Sequence, residues 1–396
     1  MYQSFTVIAL WLTGAALMGA EIANNSPAIS SRPTPAAVEL TISGAQRWLL
    51  AQQQDNGAFL PGNQFTLGIT ALAVHALTSP PLALPADEPH VAKAIRYLHT
   101  FRQADGGFYH PEEGLGGYGT ALTLMAFSAA KVNDVAVIHG AQNYLFGIQN
   151  QDPTSVCIGG IGYGPEGPGQ EDLHNTATAV VALRTSGISA SDPRLQQALR
   201  FIESCQNLSH PQAAPSDNKK STAVVRPWVN NDGGAVYSPT ESKAGGDWNP
   251  RPKPGEPQLR LHSYGSMTHA LIESYLTLDV PVSDQRVRAA LGWIRANYGF
   301  DANPGMPDDT ARDGLFYFYA SAAKTFDLAD QQPFALLNGQ TVDWRTDLFA
   351  AITKRAHTAD GGGLYWLNPS PRWGEAIPHL VTTYIIQSLK RLHLHL

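Results

Sequence analysis

Two kinds of helical pattern alternate along this chain, and that alternation restricts the fold more than any other feature. The first kind is amphipathic. Val91, Ala94, Ile95 and Leu98 form one stripe in 90–103; Leu195, Ala198, Leu199 and Ile202 do so in 193–206; Val287, Ala290, Leu291 and Ile294 do so in 284–298. The spacing i, i+3, i+4, i+7 buries one face and leaves the other in water. The second kind is apolar on more than one face and rich in Gly, Ala, Ser and Thr. It spans 65–77, 118–130, 174–187, 263–276, 313–326 and 379–392. Helices of that kind are buried all round.

Six pairs of half-buried and fully buried helices predict an all-α closed double ring, an (α/α)6 toroid with six inner and six outer helices. An open solenoid is the competing arrangement, but it needs polar caps at its ends. The last helix here, "HLVTTYIIQSL" (379–389), is as apolar as the middle ones. Glycine turns separate the helices at "DNG" (55–57), "DGG" (105–107), "IGGIGYG" (158–164), "DGG" (232–234) and "DGGG" (360–363). Asp-Gly and Asn-Gly supply the positive φ of a tight reversal. The fifth pair uses "FDANPGMPDDTA" (300–311) instead of a glycine turn. A glutamine closes the outer helix, a glycine follows four residues on, and an aromatic two after that, at Gln53, Gly57 and Phe59 and again at Gln103, Gly107 and Tyr109. The glutamine amide is expected to bond the turn backbone and staple the two helices of a pair.

Of the 396 residues 43% are hydrophobic, which supplies one large core. Net charge is −6 and there is no basic run, so nucleic acid is excluded as an expected partner. The apolar stretch 7–20 ends in small residues and is too short to span a membrane. It reads as a signal peptide over 1–20, and so as export to the periplasm or beyond. A flexible spacer is expected over 21–38, then a single domain over 39–396 carrying a Pro-, Gly- and Lys-rich insertion at 209–260. No later segment reads as a membrane span, which leaves peripheral contact as the form a membrane association would take. The two cysteines, Cys157 and Cys205, lie in adjacent repeats, and export would permit a bridge between them.

The repeated Gln-x-x-x-Gly-x-aromatic motif resembles the repeats of squalene and oxidosqualene cyclases, whose superfamily also holds the β subunits of protein prenyltransferases. The resemblance covers residues 39–396 and implies an α/α toroid. The segments 262–275, 303–327 and 342–355 resemble an exported bacterial group of squalene-cyclase-like repeat proteins. Class II cyclases use an Asp-x-Asp-Asp motif to protonate an alkene or epoxide. Its nearest match is "MPDD" (306–309), where Met306 replaces the first acid, and the resemblance implies Asp308 as the proton donor with Asp309 beside it. Helix capping is the alternative role for both. Prenyltransferases hold zinc with Asp-x-Cys and His. Asp313 fits the first position, but Leu315 stands where the thiolate belongs and His379 is two residues off, so neither a metal nor another cofactor is expected.

If all inner helices run the same way, their N-termini surround one mouth and make it electropositive. The polar groups expected there are Tyr118, His174, Asn175, His262, Tyr264, Asp313 and His379, with Glu171, Asp172, Asp308 and Asp309 on approach loops. His269 is expected in the bore, with Phe316, Tyr317 and Tyr319 as aromatic lining and Trp248 and Arg251 as contacts from the insertion. Catalysis is thus assigned to Asp308, Asp309, Asp313, His174 and His262, on a hydrophobic, isoprenoid-like molecule. A non-catalytic toroid that binds a lipid or a partner protein is the alternative. An exported polysaccharide lyase or hydrolase is a third, for which the inner helices are too apolar.

Overall fold

The computed structural model describes residues 32–396, apart from 63–64, 113, 165–169, 210–229, 254–257 and 331–332. The expected leader and the middle of the insertion lie outside the described residues. The spacer ends sooner than 38. Helix α1 (Pro35–Ala51) starts behind a Thr34 cap and already buries Val38.

The described residues form twelve α-helices. The inner ones are α2 (Thr66–Thr78), α4 (Gly116–Ala129), α6 (Leu173–Thr185), α8 (Gly265–Thr277), α10 (Leu315–Ala329) and α12 (Pro378–His393). Between them run the outer ones, α1, α3 (Pro89–His99), α5 (Val135–Gly147), α7 (Pro193–Ser204), α9 (Gln285–Ala296) and α11 (Trp344–Thr353). Each inner helix packs on the next, and α12 packs on α2, so the ring is closed. Acidic caps start most of the outer helices. Glu88, Asp134, Asp192, Asp284 and Asp343 each accept a backbone N–H of the first turn.

The staple differs from the expected one. Gln149 Nε2 donates to Gly159 O (2.8 Å) and to Arg194 O of α7 (2.9 Å). Gln53 and Gln206 repeat this, reaching His90 O of α3 (2.8 Å) and Arg286 O of α9 (2.9 Å). The amide therefore ties successive outer helices together, not the members of a pair. The copy at Gln103 is one residue out of register. Gln103 N donates to Gly107 O as Gln54 N donates to Ala58 O, so Phe108 is the counterpart of Phe59 and Gly106 that of Gly57. Gly106, not Gly107, has the positive φ (91°), and a Cβ there would lie 2.5 Å from Gly140 O. The fifth pair has its glycine after all: Gly305 at φ 84° lies against Ser263 O.

A second latch escaped sequence reading. A threonine in the first turns of five inner helices accepts the backbone N–H that follows the turn. The pairs are Phe59 N to Thr70 (3.1 Å), Phe108 N to Thr120 (2.8 Å), Ile161 N to Thr176 (2.9 Å), Ala235 N to Thr268 (3.0 Å) and Trp366 N to Thr382 (3.3 Å). These buried N–H groups would otherwise have no partner inside the ring. No disulfide joins Cys157 and Cys205. Both thiols are buried as small apolar groups of the core. No described helix is long and apolar enough to cross a membrane.

Candidate functional site

All six inner helices point their N-terminal ends at one cavity of about 590 Å³. Leu67, Gly68 and Ile69 reach it from α2, Tyr118 and Gly119 from α4, His174 from α6, Ser266 and Met267 from α8, Tyr317 from α10, and Leu380 and Tyr384 from α12. The expected mouth is therefore present, and the aligned helix dipoles give it a positive potential. Seven of the lining residues are tyrosines, Tyr109, Tyr118, Tyr163, Tyr237, Tyr264, Tyr317 and Tyr384, which present π faces and weakly acidic phenols. Burial raises the pKa of Tyr118, Tyr264, Tyr317 and Tyr384, so all stay protonated. At the floor His174 Nδ1 lies 2.7 Å from Tyr317 Oη. Burial, with Lys324 nearby, lowers its pKa to about 4, so the ring is neutral. Phe65, His110, Lys243 and Trp373 stand at the rim.

Among the described residues one carboxyl lines the cavity, and sequence reading did not name it. Glu375 lies in the turn before α12 and is 1% exposed. Its Oε1 accepts from Phe316 N (3.0 Å) and Tyr317 N (2.8 Å) at the start of α10. Its Oε2 accepts from Asn368 Nδ2 (2.6 Å). Burial raises its pKa to about 7, with the negative Asp313 adding to the rise, while the three N–H donors pull the other way. The other proton of the Asn368 amide goes to Arg312 O (2.7 Å), which fixes the amide as a donor toward Glu375. When Glu375 is protonated, Oε1 already accepts two bonds and Oε2 one. The proton therefore sits on Oε2. A sequence signal existed: "GEAIP" (374–378) puts an acid just ahead of an inner helix, as "EDLH" (171–174) does.

The remaining expected residues divide clearly. Tyr118, His174, Tyr264 and Tyr317 meet at the cavity. Asp308 and Asp309 do not: both are exposed on a short 3-10 turn, because "PDDT" rides outside the start of α10. Asp313 is buried but turned away, accepting from Ser370 Oγ and Arg372 Nη1, the latter at 3.1 Å. His262 is at the insertion, with Nε2 3.0 Å from Asp247 Oδ2. His269 packs between Phe318 and Phe326, outside the cavity. His379 leans outward on Trp48 of α1. Phe316 and Tyr319 pack on each other, on the face of α10 opposite Tyr317. Trp248 is 62% exposed on the strand Gly246–Trp248 and, like Arg251, lies off the cavity. The insertion does reach the rim, but through Tyr237 and Lys243. Among the described residues no His, Cys, Asp or Glu cluster could hold a metal ion.

No protein-family model and no curated protein matches the sequence. Solved structures match over 91% of its length. The type II terpene cyclase MstE from Scytonema aligns at TM-score 0.54 and 15% identity over 91% of this chain and 99% of that one. Its variant in complex with geranylgeranyl dihydroxybenzoate aligns at 0.53 and 15%, over the same shares of each chain. Cellobiose 2-epimerase from Spirochaeta thermophila aligns at 0.55 and 14%, over 91% of this chain and 97% of that one. The chain is an α/α toroid. At such identity the likeness fixes the fold alone, and the toroid serves both terpenoid and sugar chemistry, so the function has to be argued from the cavity.

Proposed function

We propose that the toroid binds a linear isoprenoid in the tyrosine-lined cavity and that Glu375 protonates its terminal alkene or epoxide, starting a cyclisation. The observation that carries this reading is Glu375 itself, a buried carboxyl on an apolar cavity wall with a pKa of about 7. About half of such groups hold their proton at neutral pH. The three N–H donors that receive the carboxylate lower the cost of giving that proton up. Tyrosine faces suit the cation that follows. A sugar would need many hydrogen-bonding groups, whereas Leu67, Ile69, Leu72, Met267 and Leu380 face the space.

The test pairs two variants on squalene and shorter polyprenes. Glu375→Gln should keep the fold and lower conversion by about 10²–10⁴-fold, the usual worth of a general acid. Asp308→Asn should leave conversion unchanged. Lipid bound by the wild type but never converted would favour a non-catalytic lipid-binding toroid. Loss of conversion on Asp308→Asn alone would return the acid to the "MPDD" turn.

A further inference from the structure

Across the cavity from Glu375 stands a second buried carboxyl. Asp172 caps α6, which is opposite α12 in the closed ring. Asp172 accepts from Asn175 N (2.8 Å), Asn175 Nδ2 (2.6 Å) and Tyr237 Oη (2.8 Å). It does not line the cavity, but Tyr237 does. The Tyr163 hydroxyl lies 3.5 Å from that of Tyr237, and Lys243 Nζ sits 4.3 Å above the Tyr237 ring. The phenol gives its own proton to a carboxyl behind it, and its two lone pairs leave room for one acceptor bond beside the one from Tyr163.

We propose that Tyr237, backed by Asp172, accepts the proton that ends the reaction, which makes the cavity an isomerase site. This rests on the reading of Glu375 as the acid that begins it. The step balances without a cofactor or water. The Oε2 proton of Glu375 adds to one end of a C=C bond and leaves a tertiary cation. A second C=C bond of the same molecule attacks that cation, forming a C–C bond. A C–H bond beside the final cation then breaks: its electron pair forms a new C=C bond, its proton goes to Tyr237 Oη, and the tyrosine proton passes to Asp172 Oδ2. Asp172 later loses a proton to solvent and Glu375 regains one, so the product is an isomer of the substrate.

The electrostatics call for such a partner. Six helix N-termini oppose a positive charge in this space. His174 is held neutral and adds none. Burial raises the Asp172 pKa to about 6, which leaves it mostly ionised at neutral pH yet able to take a proton. Its carboxylate, the carboxylate left on Glu375 and the tyrosine faces offset the dipoles and the Lys243 ammonium when a cation forms.

Two probes of one chain length separate the roles: farnesol, which is neutral, and N,N-dimethylfarnesylamine, a cation at neutral pH. Wild type should bind the amine about tenfold more tightly than the alcohol, the worth of one charge-assisted hydrogen bond. Asp172→Asn, which still caps α6, and Tyr237→Phe should each erase that gap, read as the ratio of the two affinities within one variant. Glu375→Gln should narrow the gap without erasing it, because a carboxyl with a pKa of about 7 is partly ionised at neutral pH. A gap that survives in Asp172→Asn and Tyr237→Phe, or farnesol binding in wild type with no gap, overturns the assignment of the base and leaves the isoprenoid reading standing. If neither probe binds wild type, the isoprenoid reading fails and takes this proposal with it.

Discussion

The two ends of the ring solve opposite problems. At the N-terminal end the helix dipoles converge on an open cavity, and the carboxyls Glu375 and Asp172 are buried there. At the C-terminal end the carbonyl ends meet basic side chains and the ring is tied shut. Lys390 Nζ donates to Leu77 O and Ser79 O at the end of α2, closing the seam between last and first inner helices. Arg184 bonds Thr277 O (2.9 Å) at the end of α8, and Lys324 pairs with Glu273 (3.3 Å). His75 lies among Lys324, Arg391 and Lys390, and burial with those charges lowers its pKa to about 3. The macrodipole thus favours the buried carboxyls where the ring is open and the basic side chains that meet the carbonyl ends where it is closed. Changes at the first end should alter chemistry, and changes at the second should alter stability.

The largest expected effect is at the open end, where Glu375→Gln removes conversion but leaves the melting temperature near that of wild type. A variant that unfolds would make Glu375 part of the frame and erase the contrast between the ends. Next comes the seam. Lys390→Ala exposes two carbonyls and loses a buried stem, and should cost about 2–4 kcal/mol in denaturant unfolding with ligand affinity unchanged. Burial lowers the Lys390 pKa to about 7. From about pH 7 up to its unfolded value, the unfolded chain holds a proton at Lys390 that the folded chain has lost. The contribution of Lys390 should therefore grow as pH rises through that window, and a gap between wild type and variant that stays flat would contradict the burial. The smallest effect lies in the outer staples. Gly159→Ala puts a Cβ 2.2 Å from Gln197 O at φ 85°. It should cost about 1–3 kcal/mol by thermal unfolding, with no change at the cavity. A substitution that cost nothing would remove the glycine turns from the account of how repeats are joined.

Helix type and order were legible because burial has a period. The stripe of Val91, Ala94 and Leu98 and the all-round burial of 265–275 are written in hydrophobicity, and the expected inner segments match the observed helices closely. The mouth was legible too, since parallel inner helices must share one. The acid was not. Whether a carboxyl faces a cavity or water is decided by loops, and loops have no period. Asp308 and Glu375 each precede an inner helix, yet one rides outside on a 3-10 turn while the other is folded onto the N-terminus of a neighbouring helix by Asn368. The register of the Gln103 copy failed for a similar reason. Arg102 takes the place of the staple glutamine, so a matching spacing concealed a one-residue shift.

For Glu375 to act as the acid, the cavity at the open end must keep its carboxyl protonated. The direct test is a wild-type minus Glu375→Gln difference infrared spectrum, followed across pH. Glu375 is predicted to show the carbonyl band of a buried protonated acid at pH 6 and to lose it with a midpoint near 7, as its raised pKa requires. Conversion of an isoprenoid should fall over the same range, because the donor loses its proton as pH rises. A band already gone by pH 5 would mean an ordinary ionised carboxylate on a wet wall, and Glu375 would not be the acid.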